Sequence, residues 1–227
     1  MMQVSEFDLL KKHRRIGIYG GSFDPVHRAH LAVGRELKRL FELDIFVFIP
    51  AFHAPHKRRK APTPALDRYA MLCLATNDEP EFLVSKMEID LPDRPYSIQT
   101  LTRLRRELRD AEIFFTMGAD SWADITTWRE WEELLLMTNH IIVGRPNAEI
   151  SFEQVSDRVR ERIIDEREAP KIVPAGEHDP HIYITDTVRL DVAATDIRQK
   201  IREGDAGWRE DVPKEVANYI EKYQIYS

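Results

Sequence analysis

Residues 15–30 read RIGIYGGSFDPVHRAH: an apolar, β-rich run, a pair of glycines, and then a turn into the start of a helix. Gly20 and Gly21 lack side chains and so let backbone N–H groups approach a ligand closely. The helix start just beyond them is a natural anion site. The stretch therefore has the design of a phosphate-binding strand–loop–helix unit. It is neither G-x-G-x-x-G nor the lysine-ended Walker loop, so a hydride-transfer dinucleotide fold and a P-loop NTPase both lose support.

Outward from this unit the alternation continues. A helix-like stretch from about Arg28 to Phe41 precedes DIFVFIP, and ALDRYAMLCLATND precedes EFLVSKMEI. SIQTLTRLRREL then leads to EIFFTMGA, and TTWREWEELLLMT to NHIIVGR. Short β-rich runs separated by longer periodic ones predict an α/β, Rossmann-like doubly wound and mostly parallel sheet with helices on both faces. Thr63 before Pro64, and Ser97, mark two helix starts. After Pro146 the pattern weakens. FEQVSDRVRERIIDERE (152–168) reads as a charged amphipathic helix, and HIYITDTV as a strand. Two closing helices begin near Thr195 and after Pro213. The expectation is one domain over residues 1–227, with a core of about 14–146 and a small helical C-terminal portion of about 190–227. In such a sheet ligands gather where strand order reverses. GGSFDPVHRAH and MGADSW, after the first and fourth strands, should meet there.

Composition narrows the function classes. A chain of 227 residues with 43% hydrophobic content can bury a sizeable core. The formal net charge of −6 argues against a general nucleic-acid binder, which needs a broadly basic face. Phe52 to Lys60, FHAPHKRRK, is the local exception. It is either a site for one small polyanion or a solvated basic loop. The single cysteine, Cys73, sits in a helical pattern as a packing residue and excludes an internal disulfide, which fits a reducing compartment. No apolar run approaches the ~20 residues of a membrane span, and the first residues lack a leader pattern. A cytoplasmic protein with no membrane partner is expected.

His27 and His30 stand three apart at the helix start, on one face, where both can point at the same phosphates. Zinc binding would need a third ligand, and no H-E-x-x-H or cysteine partner accompanies them. Helix capping and satisfied core histidines are the other readings; the glycine loop in front favours function.

Gly20, Gly21, Ser22, Phe23, Asp24, Pro25, His27 and His30 resemble the G-x-F-x-P-x-[HT]-x-x-H signature of the nucleotidyltransferase superfamily. Ala194, Thr195, Asp196, Ile197 and Arg198 resemble its second signature, an [ST]-x-x-x-R-like element opening a C-terminal helix. Narrower features are similar to the bacterial nicotinate-nucleotide adenylyltransferase family. They are APHK with Lys57, PYSIQTL from Pro95, MGADSW from Met117, ITTWREWEELL around Trp128, VGRP, VPKEVANYI and a final IY. Ser22, Ala54 and Asn147 depart from the commoner family residues, the last two affecting loop conformation only.

The resemblance implies adenylyl transfer from ATP to nicotinate mononucleotide, giving the dinucleotide precursor of NAD and pyrophosphate. His27, His30, Lys57 and Arg198 would meet the ATP phosphates, Thr195 assisting at its helix start. The Gly20–Phe23 loop would lie against the nucleotide. Asp120, after Gly118, could accept from ribose hydroxyls or simply cap a short helix. The family places an aromatic ring at Trp128 against the nicotinate ring, and main-chain donors near Ser97 and Thr127 beside its carboxylate; Trp122 and Trp131 read as packing. Magnesium would accompany ATP with no dedicated protein ligand. Rival readings are another superfamily enzyme, such as a pantetheine-phosphate adenylyltransferase or a cytidylyltransferase, and a silent nucleotide-binding regulator. The PYSIQTL and TTW segments speak against the first, the His27, His30, Thr195 and Arg198 set against the second.

Overall fold

The computed structural model describes residues 5–51, 62–91, 95–144, 150–167, 179–186, 188 and 190–227. In chain order the elements are α1 (Glu6–Leu10), β1 (Arg15–Gly21), α2 (Arg28–Leu40), β2 (Ile45–Pro50), α3 (Ala65–Ala75), β3 (Phe82–Val84), α4 (Ser97–Glu107), β4 (Glu112–Gly118) and α5 (Ala119–Ala123). A 3-10 turn at Ile125–Thr127 follows, then α6 (Trp131–Met137), β5 (Asn139–Val143), α7 (Asp157–Arg160), β6 (Ile163–Asp165), β7 (Ile182–Thr185) and α8 (Ala194–Glu203). A second 3-10 turn (Ala206–Glu210) and α9 (Lys214–Tyr223) complete the order.

The strands form one sheet in the order β3-β2-β1-β4-β5-β7-β6. Every pair is parallel, which is the doubly wound arrangement expected. The reason lies in the strand sequences: Ile45–Pro50 and Asn139–Val143 are buried at every residue, and such strands need helices over both faces. Ile16, Ile18, Val47, Phe115, Ile142 and Ile184 face a cluster completed by α1, α4, α5 and α6. Phe46, Phe48, Phe114, Ile141 and Tyr183 face the other, completed by α2, α3, α8 and α9. Each fully buried Leu, Ile or Phe here stabilises the fold by about 1.5–3 kcal/mol.

Strand order reverses between β1 and β4, which pair with Tyr19 opposite Thr116. Gly20–Gly21 and Gly118 therefore end neighbouring strands at the same edge, as the strand–helix alternation implied. At the other end of β1, Asp44 accepts the Arg14 and Arg15 N–H groups at 2.6 and 2.8 Å. The Arg15 guanidinium bonds Glu112 at 2.8 Å and the Phe41 carbonyl at 2.9 Å. His140 lies buried in β5, its Nδ1 at 2.8 Å from the Thr138 carbonyl, and burial pushes its pKa down to about 4.

Three local expectations are corrected. Residues 152–167 do not form one amphipathic helix: among these described residues only Asp157–Arg160 is helical, and Ile163–Asp165 is a strand beside β7. Two adjacent β-branched residues, Ile163 and Ile164, pair with Ile182 and Tyr183 there, so sheet pairing overrides the helical period. The 126–138 stretch is likewise interrupted, because Trp128 is extended and Glu130 left-handed at φ 53° before α6 begins. Thr63 does not cap α3; Pro64 holds the cap position and makes no side-chain bond. No helix among the described residues is long and apolar enough to cross a membrane.

Candidate active site

The loop after β1 is held by packing and by a buried cation. A Cβ on Gly21 would lie 2.9 Å from the Phe23 ring, and one on Gly20 3.3 Å from Phe115, so neither position has room for a side chain without a shift. Phe23 is 2% exposed at a left-handed φ of 47°. Its ring meets those of Tyr19, His30 and Phe48 edge-on. Arg68 of α3, 1% exposed, donates to the carbonyls of Ser22 at 2.6 Å, Ala51 at 2.7 Å and Thr63 at 2.9 Å. One side chain thus ties the β1 loop, the end of β2 and the start of α3. Burial draws the Arg68 pKa below its ordinary value, while the neighbouring Asp24 charge opposes that fall.

His27 and His30 come together as expected. Their rings stack with centroids 3.6 Å apart and planes at 26°. The His27 N–H donates to His30 Nδ1 at 3.2 Å, which leaves the His30 proton on Nε2, a donor. The helix end itself differs from expectation. Arg28 N–H donates to the Asp211 carbonyl at 2.9 Å and His30 N–H to the His27 carbonyl at 3.0 Å. Two α2 amides are therefore engaged within the protein.

The second signature closes on the first. Arg198, one turn into α8, donates through Nη1 to the Asp24 carbonyl at 2.5 Å and through Nη2 to Thr195 Oγ1 at 3.4 Å. Asp24 is a junction of its own. Its Oδ1 accepts from the Tyr226 hydroxyl at 2.7 Å and its Oδ2 from the Thr63 N–H at 3.4 Å. Sequence reasoning singled out neither Arg68, Asp24 nor Tyr226 for a role. Their partners lie up to 202 positions away.

On the opposite face of the sheet, Gly118 caps α5, and a Cβ there would meet nothing within 4 Å. Asp120 lies exposed in the first turn of α5 and is not its cap. Ser97 opens α4 behind Tyr96, whose N–H donates to Gln99 Oε1 at 2.9 Å. Arg129 stands over the Tyr96 ring at 5.1 Å and brings the Trp128 segment to the start of α4. Trp128 is half-buried against the core; Trp122 is buried and Trp131 packs beside it. The expected donors near Thr127 are corrected: its N–H bonds the Asp124 carbonyl and the Trp128 N–H the Ile125 carbonyl, both at 2.9 Å, within the 3-10 turn. Lys57 and the 52–60 basic stretch fall on or beside residues 52–61, outside the described residues. Among the described residues no group of three His, Cys, Asp or Glu side chains is placed to hold a metal ion.

The Gly20–Gly21 loop, the stacked His27–His30 pair and the Arg198 guanidinium thus gather around one strand edge. Residues 18–200 match the cytidylyltransferase-like family. A curated relative from Corynebacterium glutamicum, named as a probable nicotinate-nucleotide adenylyltransferase, is 35% identical over 96% of this chain and 90% of its own. One from Thermomicrobium roseum with the same name is 37% identical over 93% and 91%. The solved nicotinic acid mononucleotide adenylyltransferase of Plasmodium falciparum, complexed with APC, superposes with a TM-score of 0.71 at 20% identity over 94% of this chain and 98% of that one, a likeness of fold. Such identity, sustained over nearly the whole length and joined to the family match, means that the chain belongs to the nicotinate-nucleotide adenylyltransferase family of the cytidylyltransferase-like nucleotidyltransferases.

Proposed function

We propose that this enzyme transfers the adenylyl group of ATP to the phosphate of nicotinate mononucleotide, forming nicotinate adenine dinucleotide and pyrophosphate. The observation that carries the site reading is the Arg198–Asp24 bond at 2.5 Å, by which the second signature meets the loop of the first. The Plasmodium enzyme was also solved with NaAD, the product of that reaction. The attacking phosphate oxygen is already ionised at neutral pH, so the transfer needs no general base. It needs two anions held in line and the extra charge of the transition state neutralised.

His27 and His30 supply imidazole donors to the α-phosphate region, and Thr195 with Arg198 hold the departing pyrophosphate. Lys57 is proposed to reach the same phosphates from the basic stretch. Gly118 and Asp120 border the ribose, Asp120 accepting from its hydroxyls. Trp128 offers its indole face to the pyridinium ring, a cation–π attraction of roughly 0.5–2 kcal/mol. Ser97, as the first residue of α4, presents N–H groups that a helix leaves without internal partners. A carboxylate accepts at both oxygens where a carboxamide turns an NH₂ toward those donors. Leaving that group unpaired costs about 1–3 kcal/mol, which favours the acid on the order of 10- to 100-fold. ATP enters as its magnesium complex, with the cation part of the substrate.

The test is a product assay with both pyridine mononucleotides, each offered with ATP or CTP and magnesium. Nicotinate adenine dinucleotide formed from ATP supports the proposal. Preference for CTP, or parity between acid and amide, refutes the nucleotide or the pyridine assignment respectively.

A further inference from the structure

Asp24 stands at the middle of the β1 loop, and three distant elements converge on it. The Tyr226 hydroxyl, beyond α9, donates to Oδ1 at 2.7 Å; Thr63, before α3, gives its N–H to Oδ2 at 3.4 Å; Arg198 of α8 donates to its carbonyl at 2.5 Å. The flanking Ser22 and Thr63 carbonyls are held by the buried Arg68. The carboxylate thus fixes the peptide whose carbonyl anchors the Arg198 fork. We propose that Tyr226 is a positioning residue for the ATP phosphates: through its hydroxyl on Asp24 it holds the 22–26 loop at the height that orients Arg198. This rests on the reading of Arg198 and Thr195 as phosphate-binding groups.

Two further observations agree. Burial, then the Asp24 charge and hydrogen bond, hold the Tyr226 hydroxyl protonated well above the ordinary tyrosine range, so it stays a donor at neutral pH. The nearby Tyr223, by contrast, is 57% exposed and lies against Tyr219 with ring centroids 4.6 Å apart and planes tilted at 49°. An aromatic residue that merely packed would not need a hydroxyl aimed at the one carboxylate of the signature loop.

The full-length chain is compared as wild type, Tyr226→Phe and Tyr223→Phe. The magnesium complex of α,β-methylene-ATP is titrated by calorimetry, and the KM values for ATP and for nicotinate mononucleotide are measured beside thermal melting. Tyr226→Phe is expected to raise the dissociation constant of the analogue and the KM for ATP about tenfold, equivalent to about 1.4 kcal/mol. The KM for the mononucleotide and all properties of Tyr223→Phe should stay at wild-type values. A folded Tyr226→Phe that binds the analogue as wild type overturns the proposal. So does a lowered melting point with unchanged binding, or an equal rise in both KM values. Should Tyr226→Phe not fold, the same titration on Asp24→Ala decides, because that variant removes the acceptor of both the Tyr226 hydroxyl and the Thr63 N–H. A wild type that does not bind the analogue overturns the adenylyl reading itself, and this proposal with it.

Discussion

Replacing Arg68 by methionine keeps the aliphatic stem and removes the guanidinium that joins three segments. Its bonds to the Ser22, Ala51 and Thr63 carbonyls run from 2.6 to 2.9 Å, and the side chain is 1% exposed. Each buried carbonyl left without a donor costs about 1–3 kcal/mol. Three carbonyls together cost about 3–9 kcal/mol, of which part is recovered where water follows the vacated charge. A loss of about 4 kcal/mol is therefore expected, a large share of a total stability of about 5–15 kcal/mol. With a urea slope of about 2 kcal/mol per molar, the unfolding midpoint should fall by about 2 M. Arg68→Lys, which retains the charge but reaches fewer carbonyls, should fall roughly half as far. Urea unfolding followed by intrinsic fluorescence measures both. A midpoint for Arg68→Met within about 0.5 M of wild type would show that the three bonds are not what holds the loop, and would refute the reasoning.

His27→Ala or His30→Ala should lower kcat by roughly 10²–10³, the range for losing one pre-aimed donor; retained turnover in either variant returns that histidine to a packing role. Arg198→Lys should raise the KM for ATP with little effect on that for nicotinate mononucleotide, since the fork that spans the Asp24 carbonyl and Thr195 is lost; equal ATP constants would remove the assignment. His140, with its pKa lowered to about 4 from 6.5, binds protons more weakly folded than unfolded. Its contribution is complete above pH 6.5 and lost as pH falls toward 4, up to about 3 kcal/mol. Urea titrations between these limits should show a slope that His140→Leu flattens, and an unchanged slope would be inconsistent with a buried neutral imidazole.

The sheet was legible because its central strands are continuous apolar runs: RIGIYGG is β1 residue for residue, and Ile45–Pro50 is buried throughout. Local design was legible too, since the glycine loop and the His27–His30 pair are contiguous in sequence. What failed was competition settled at a distance. Residues 152–168 carry a helical charge pattern, but Ile163–Asp165 found a partner in β7 that no local window displays. The capping box of α1, Ser5 with Asp8, lay within reach of sequence rules and was not used. Arg68 was hidden in a different way. In a helix reading ALDRYAMLCLA an arginine looks solvent-facing, and only the meeting of three carbonyls from separate segments makes it interior. Lys57 belongs to residues 52–61, where nothing structural is described.

The division into a core and a helical C-terminal portion, natural in sequence, does not divide the work of the site. Arg28 N–H bonds the Asp211 carbonyl, Arg198 bonds the Asp24 carbonyl, Tyr226 bonds the Asp24 carboxylate, and Tyr219 bonds Asp67 at 2.8 Å. Each of these joins residues 190–227 to the β1–α2 and α3 region. The amide of Arg28 is committed to Asp211, and the Arg198 guanidinium reaches the Asp24 carbonyl of the same loop from the other end of the chain. Such contacts bridge 152 to 202 positions of sequence, so long loops must close before the C-terminal helices and the β1 loop are joined.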